Sequence, residues 1–119
     1  MPKIIISSGY NNALLRVRNS VLEQAGCAVV SCKESSVLMD LLAKKDFDGA
    51  VLCNSIPVDL RAELARTIKK VKPALPLIIL YADGEDGHLR RLADELVPSV
   101  HGFAQPLIEA ISKVVGEPD

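Results

Sequence analysis

Five short apolar segments alternate along the chain with five amphipathic segments, and this alternation limits the fold more than any other feature. Short segments of mainly apolar residues predict strands at 3–7, 27–32, 48–53 and 77–81, and a short fifth strand is predicted at 100–104. Between them, apolar residues recur every three or four positions, as in helices that bury one face. Such an order predicts a parallel sheet covered by helices on both sides. The third predicted strand is almost wholly apolar, which is typical of a strand buried on both faces.

The predicted helices carry start signals of their own. Candidate residues for the five helix starts are Asn11 or Asn12, Ser35 or Ser36, Asp59, Asp86 and Pro106. Gly26 ends the first helix, as a glycine just past a helix end usually does. The inward faces are predicted to carry Leu14, Val17, Val21 and Ala25 in the first helix, and Leu89, Leu92 and Leu96 in the fourth.

Length and charge exclude several classes of protein. The chain has 119 residues, so we predict one domain at 1–116 followed by a tail at 117–119. The net charge of −1 and the 3% aromatic content argue against nucleic acid as a partner. The longest apolar run, 75–82, is far shorter than the ~20 residues of a membrane helix, so no membrane partner is expected.

The cysteine and histidine content argues against a stapled or zinc-bound fold. The three cysteines, Cys27, Cys32 and Cys53, are an odd number and form no C-x-x-C pair, and only two histidines are present. Neither a disulfide framework nor a structural zinc site is predicted. The N-terminus has no signal-peptide pattern, so we expect a reduced, cytoplasmic protein.

Several stretches share an order and spacing that suggest a family. These stretches are 21–30, 46–52 with Ile56-Pro57, 63–68, 75–80 and Gln105-Pro106. Together they resemble the receiver domain of bacterial response regulators, and the resemblance covers essentially the whole chain. It implies a flavodoxin-like, CheY-like fold: a doubly wound, five-stranded parallel sheet of (βα)5 order in three layers. It also implies a role in two-component (phosphorelay) signal transduction.

Receiver domains share a phosphoryl-transfer site, and this sequence departs from it at every position. The family holds Mg²⁺ with two carboxylates after the first strand and phosphorylates an aspartate that ends the third strand. A Ser or Thr ends the fourth strand, and a Lys ends the fifth. The matching residues here are Ser8 and Gly9 (or Gly9 and Tyr10 without a gap), Cys53, Tyr81 and Gln105. No Asp or Glu precedes Glu23, none lies between Gly49 and Val58, and no Lys lies between Pro73 and Ser112.

These departures predict a pseudo-receiver that keeps the fold without its chemistry. Mg²⁺ needs hard oxygen ligands, and a transferring phosphoryl group needs cationic stabilisation. We therefore expect no aspartyl phosphorylation, no Mg²⁺ or other cofactor, and no enzymatic activity. Two alternatives stay open on the same fold: a thiol-based sensor or small enzyme that uses Cys53, and a small-ligand site around Ser7, Ser8, Asn54 and Ser55. For Cys53 itself we favour a buried, inert side chain.

A protein-interaction module is the function that the resemblance then favours. Receivers are similar in binding partners and forming homodimers through the fourth helix, fifth strand and fifth helix. Residues of this chain that would lie on that surface are His88, Arg90, Arg91, Asp94, Phe103 and Glu109. Candidate partners are a histidine kinase, an effector protein or a second copy of the chain. For Tyr81 two roles remain open: filling the place of the family's hydroxyl residue, or covering the edge of the core.

Overall fold

A computed structural model describes residues 2–99 and 104–116 and shows strands and helices in strict alternation. The strands are β1 (Ile4–Ser8), β2 (Ala28–Cys32), β3 (Gly49–Leu52), β4 (Leu77–Tyr81) and β5 (Glu95–Pro98). The helices are α1 (Asn12–Gln24), α2 (Ser35–Lys44), α3 (Val58–Val71), α4 (Asp86–Leu89) and α5 (Ala104–Val114). No helix in the described part of the chain is long and apolar enough to cross a membrane.

All five strands are parallel and lie in the order β2-β1-β3-β4-β5. In β1, Ile6 lies opposite Val30 of β2 on one side and Ala50 of β3 on the other. The order of the strands reverses between β1 and β3, so the carboxyl ends of these two strands form the crevice where such sheets place their sites. This topology confirms the predicted flavodoxin-like fold.

The sheet separates two apolar clusters, which gives the three predicted layers. Ile5 and Val51 lie in the cluster that α1 and α5 cover, together with Leu22 and Ile111. The side that α2 and α3 cover buries the following residues: Ile6, Leu38, Leu42, Leu52 and Ile68. Every residue of β3 is buried, as its apolar sequence predicts.

Helix α1 buries a different face from the predicted one. Leu15, Arg18 and Leu22 are buried, whereas Val17 is 47% exposed and Leu14 is only half-buried. The predicted face was therefore wrong by one position, a rotation of about 100° on a helix of 3.6 residues per turn. The cause is Arg18, because hydrophobic spacing assigns an arginine to the solvent side.

The last strand and the fourth helix also differ from the prediction. Strand β5 begins at Glu95 rather than near residue 100, and α4 is a single turn that ends at Leu89. Leu96, predicted on the fourth helix, lies in β5 opposite Ile79. The predicted strand positions 100–103 lie outside the described residues.

Asp94 explains where β5 begins. Its backbone N–H donates to Leu77 O (2.8 Å), and its carboxylate accepts from Leu77 N (2.7 Å) and from the ammonium of Lys69. These bonds align the start of β5 with the start of β4. The four-residue spacing from Leu92 to Leu96 imitates a helical pattern, but strand pairing overrides it.

Replacing Asp94 by alanine is expected to destabilise the fold by about 1–2 kcal/mol, because Leu77 N and Lys69 lose a charged acceptor. Urea denaturation measures this change. Arg91→Ala, an exposed substitution on the preceding turn, is the matched control and should stay within about 0.5 kcal/mol of the original chain. Equal effects of the two substitutions would contradict the start of β5 described above.

Candidate functional site

The structure brings three of the predicted site positions together at the crevice between β1 and β3. Cys53 N donates to Ser8 O at 2.8 Å, so the residue after β3 pairs directly with the end of β1. A Cβ atom at Gly9 would lie 2.9 Å from Cys53 Cβ. The fourth, Tyr81, ends the neighbouring strand β4 and is half-buried. These are the positions that the family resemblance assigned to phosphoryl chemistry.

Gln105 does not belong to this group, and its predicted place was wrong. It is the second residue of α5, whereas β5 ends at Pro98. The residue that follows β5 is Ser99, whose N–H donates to Tyr81 O at 2.9 Å. Ser99, rather than Gln105, therefore follows the fifth strand, because β5 lies earlier in the chain than predicted.

Gly9 packs closely against Cys53 and Ser55. A methyl group on Gly9 would approach Ser55 Oγ to 3.0 Å as well as Cys53 Cβ to 2.9 Å, closer than ordinary van der Waals contact. Cys53 itself is fully buried. Residue 9 must therefore be a glycine, because any side chain there would clash with Cys53 and Ser55. The side chain at the position that matches the family's acceptor contacts protein atoms rather than solvent.

Burial keeps the Cys53 thiol protonated. Burial raises its pKa from 9.0 to about 11, although the charges of Arg18 and Arg61 and a hydrogen bond from Ser7 act in the opposite direction. At neutral pH the reactive thiolate is then roughly one molecule in several thousand or fewer. Burial likewise raises the pKa of Cys27 and of Cys32. These properties favour the inert side chain over the thiol sensor.

The predicted polar cluster divides between the two faces of the sheet. Ser7 shares the face of Ile5, toward α1 and α5, and Ser8 shares the face of Ile6, toward α2 and α3. Both hydroxyl oxygens are buried with no nitrogen or oxygen partner among the described residues. Because they point in opposite directions, the two serines do not form a single ligand site.

Ser55 joins the loop after β1 to the loop after β3. Its hydroxyl oxygen accepts from Tyr10 N at 2.8 Å and from Asn11 N at 3.2 Å. Asn11 in turn caps α1, since its Oδ1 accepts from Leu14 N at 3.0 Å. A protein hydroxyl thus connects the two loops that in receivers flank the metal.

Arg61, on the first turns of α3, is fully buried and lies at the centre of the site. Its Nε and Nη2 donate to Ile56 O (3.1 and 2.6 Å), and Nη2 also donates to Asn54 O (2.9 Å). Its Nη1 donates to Leu80 O (3.1 Å) and to Glu85 Oε1 (2.8 Å). We call this set of contacts the Arg61 network. It connects the loop after β3 with the end of β4 and the loop after β4.

Glu85 supplies the negative charge of the Arg61 network. Its Oε1 also accepts from Ala82 N at 2.8 Å. Burial raises the pKa of the Glu85 carboxyl, but the hydrogen bonds from Arg61 and Ala82 and the Arg61 charge outweigh it and leave the pKa below its ordinary value. The carboxylate is therefore charged at neutral pH and bound within the chain.

A second arginine approaches the same loop from α1. Arg18 is 4% exposed and donates through Nη2 to Asn54 Oδ1 at 2.9 Å. Burial lowers its pKa, and its position near Cys53 opposes that shift. Asn54 therefore contacts Arg18 through its side chain and Arg61 through its backbone oxygen.

Sequence reasoning missed both arginines, although a signal was present. Arg18 stands three residues after Leu15 and four before Leu22, and Arg61 stands three before Leu64. These are the spacings of a buried helix face, so a cation at such a position requires acceptors inside the protein.

The site does not fit Mg²⁺. At the carboxyl ends of β1 and β3 the chain offers Ser8, Gly9 and Cys53, with the guanidinium groups of Arg18 and Arg61 nearby. Mg²⁺ requires carboxylate or other hard oxygen ligands, and two neighbouring cations oppose its binding. Across 2–99 and 104–116, no group of three or more His, Cys, Asp or Glu residues is placed to hold a metal ion.

Most residues of the predicted partner surface are accessible. His88, Arg90, Arg91, Asp94 and Glu109 are exposed. The Asp94 carboxylate also bonds to Leu77 and Lys69, as described above, and Phe103 lies outside the described residues. Because α4 is a single turn, His88, Arg90 and Arg91 lie on or just after a short turn rather than along a helix.

Comparison with known proteins relates this architecture to solved structures. No protein-family model matches the sequence, and no curated protein sequence is significantly similar to it. A response regulator receiver domain protein from Clostridium thermocellum is 22% identical over 95% of this chain and 94% of its own, with a TM-score of 0.79. The chain has the CheY-like receiver fold. The chemotaxis response regulator CheY4 of Vibrio cholerae is 12% identical, with coverages of 96% and 99% and a TM-score of 0.81.

The same fold also occurs within longer proteins. NtrX from Brucella abortus is 15% identical over 97% of this chain, with a TM-score of 0.80, but the match spans only 27% of NtrX. At these identities the likeness establishes the fold, and the chemistry depends on the residues of the site itself.

The burial of the cysteines predicts slow reaction with a thiol reagent in the folded protein. Ellman's reagent should modify all three slowly, and Cys53, with 0% exposure against 6% and 7% for Cys27 and Cys32, should be the slowest. Peptide mapping after partial alkylation identifies the order, and the chain unfolded in guanidinium is the control for full reactivity. Preferential labelling of Cys53 in the folded state would revive the thiol-sensor alternative.

The raised pKa of Cys53 also predicts a loss of stability at alkaline pH. The folded state holds the thiol proton more tightly than the unfolded chain, so this contribution is complete below about pH 9 and disappears as the pH rises through about 11. The loss attributable to Cys53 is roughly 2–3 kcal/mol. Urea denaturation of the original chain and of Cys53→Ala, both under reducing conditions, measures this loss. The free energy of unfolding of the variant should fall less between about pH 9 and about pH 11 than that of the original chain. An equal fall in both would contradict the raised pKa of Cys53.

Proposed function

We propose that this chain is a receiver-like signalling module that acts through protein contacts and does not transfer phosphoryl groups. The observation that carries the proposal is the composition of the crevice between β1 and β3. A buried thiol stands at the position that matches the family's acceptor, two buried arginines bond to the adjacent Asn54, and Gly9 packs closely against the thiol. The receiver fold supports a place in a pathway of the two-component type.

Each requirement of phosphoryl transfer lacks its usual residue in this site. Ser8 and Gly9 stand where carboxylates would hold Mg²⁺, and Cys53 offers a protonated thiol in place of a charged carboxylate. Ser99 stands after β5 where a lysine would neutralise the phosphoryl oxygens. Because such groups act as a unit, losing even one of them removes most of the phosphoryl-transfer activity, and here every one of them is replaced.

The exposed surface near α4 supports a role in protein binding. His88, Arg90 and Arg91 project from a turn whose Leu89 is fully buried, so the backbone that presents them is anchored. The exposed guanidinium groups of Arg91 and of Arg90, which also pairs with Asp86, suit a partner with an acidic surface. A histidine kinase, an effector or a second copy of this chain, bound through α4, β5 and α5, are the candidates.

The test is a two-dimensional amide NMR spectrum with and without Mg²⁺ and beryllofluoride, a mimic of the phosphoryl group, followed by intact mass after incubation with Mg²⁺ and acetyl phosphate. We expect unchanged peaks at Ser8, Cys53 and Tyr81 and no gain in mass. A receiver that carries the carboxylates, run in parallel, confirms that the reagents are active. A gain of one phosphoryl group would overturn the proposal, and saturable shifts without a gain in mass would favour the ligand-binding alternative.

A further inference from the structure

The Arg61 network connects segments that lie far apart in sequence. Arg61 on α3 contacts Asn54 and Ile56 in the loop after β3, and Leu80 and Glu85 at the end of β4 and in the loop after it. We propose that Arg61 is a positioning residue that holds these two loops in one arrangement, so that the surface at 86–91 is presented constantly and without a ligand. The proposal deepens the proposed function and rests on it.

The geometry of the guanidinium group makes this arrangement specific. Arginine presents its donors in a rigid planar fork, and here Nε, Nη1 and Nη2 all donate to protein oxygens. The fork meets Ile56 O on one side and Leu80 O with Glu85 Oε1 on the other. Moving either loop would separate donors and acceptors that a flexible lysine could follow but a planar fork cannot.

Glu85 transmits the position of Arg61 to the exposed surface. The same Oε1 atom that accepts from Arg61 also accepts from Ala82 N, which closes residues 82–85 into a compact loop. Helix α4 begins at the next residue, and Leu89 at its end is fully buried. The location of His88 and Arg90 is therefore determined by a contact made inside the protein.

An alternative position of the loop is opposed by electrostatics. Arg61 is fully buried, and Glu85 is the acidic partner of its ion pair. If the loop moved away, the cation would remain in a buried place without its carboxylate, which is strongly unfavourable. A switch requires a ligand that binds one state better than the other. In this chain the Glu85 side chain, through its ion pair with Arg61, permanently favours one position of the loop.

The loop after β1 is attached to the same assembly. The Ser55 hydroxyl accepts from Tyr10 N and Asn11 N, and Ser55 lies between the two loop residues that Arg61 contacts. All three loops around the crevice are thus connected by protein groups alone. This arrangement takes the place of the family's metal and phosphoryl contacts, since the ends of β1 and β3 carry no carboxylate.

Amide hydrogen exchange tests the proposal through Glu85→Ala, in which Arg61 keeps its bonds to backbone oxygens but loses its charged acceptor. The variant should be less stable than the original chain, so exchange is compared where urea denaturation shows that both are folded. We expect the amides of 82–90 to exchange at least about tenfold faster in this variant, because the loop loses a charge-assisted hydrogen bond. The amides of β1 and β3 should keep their protection. Asp83→Ala, an exposed carboxylate in the same loop, is the matched control and should leave exchange unchanged.

A second variant separates geometry from charge. Arg61→Lys keeps the cation but loses the fork, and should accelerate exchange in both 54–57 and 82–90, whereas Arg66→Lys on the exposed face of α3 should not. Equal exchange in Glu85→Ala and Asp83→Ala, or millisecond motion of 82–90 in the original chain, would overturn the proposal. Failure of the proposed function appears separately, as a gain in mass with acetyl phosphate.

Discussion

A buried guanidinium group is stable only when its donors meet acceptors, and this requirement organises the carboxyl edge of the sheet. Arg61 is fully buried, and its donors reach the backbone oxygens of Asn54, Ile56 and Leu80 and the carboxylate of Glu85. The loops after β3 and β4 must therefore lie close to α3. The crevice between β1 and β3 takes its shape from that constraint.

The interior of the crevice is packed with groups other than the carboxylates of the family's site. In a phosphorylatable receiver, carboxylates gathered at one point repel each other and need a cation. Here Cys53 occupies the central position as a neutral thiol, and Arg18 and Arg61 contact the amide and backbone of Asn54. Close approach at Gly9 and the Ser55 hydroxyl complete the packing. The site is a connected part of the core rather than an open pocket.

The features that sequence reasoning predicted well are those that depend on local pattern. The apolar runs at β3 and β4, the Asn11 cap and the alternation of strands and helices appear as expected. The buried face of α1 was predicted one position away, since Arg18 points inward. Strand β5 was also misplaced, because its start depends on a bond between Asp94 and Leu77, seventeen residues apart, that no local pattern contains.

The sequence by itself determined that the chain forms a doubly wound parallel sheet and that no carboxylate stands at the phosphoryl-acceptor position, because hydrophobic spacing and residue identity are local properties. The tertiary structure alone decided what occupies the site instead. Arg18 and Arg61 lie on different helices, and Glu85 lies in a third segment of the chain. Only the packing of α1 and α3 against opposite faces of the sheet brings both arginines to Asn54 and brings Arg61 to Glu85. The physical reason is that a buried cation takes its acceptors from whichever segments the fold places around it.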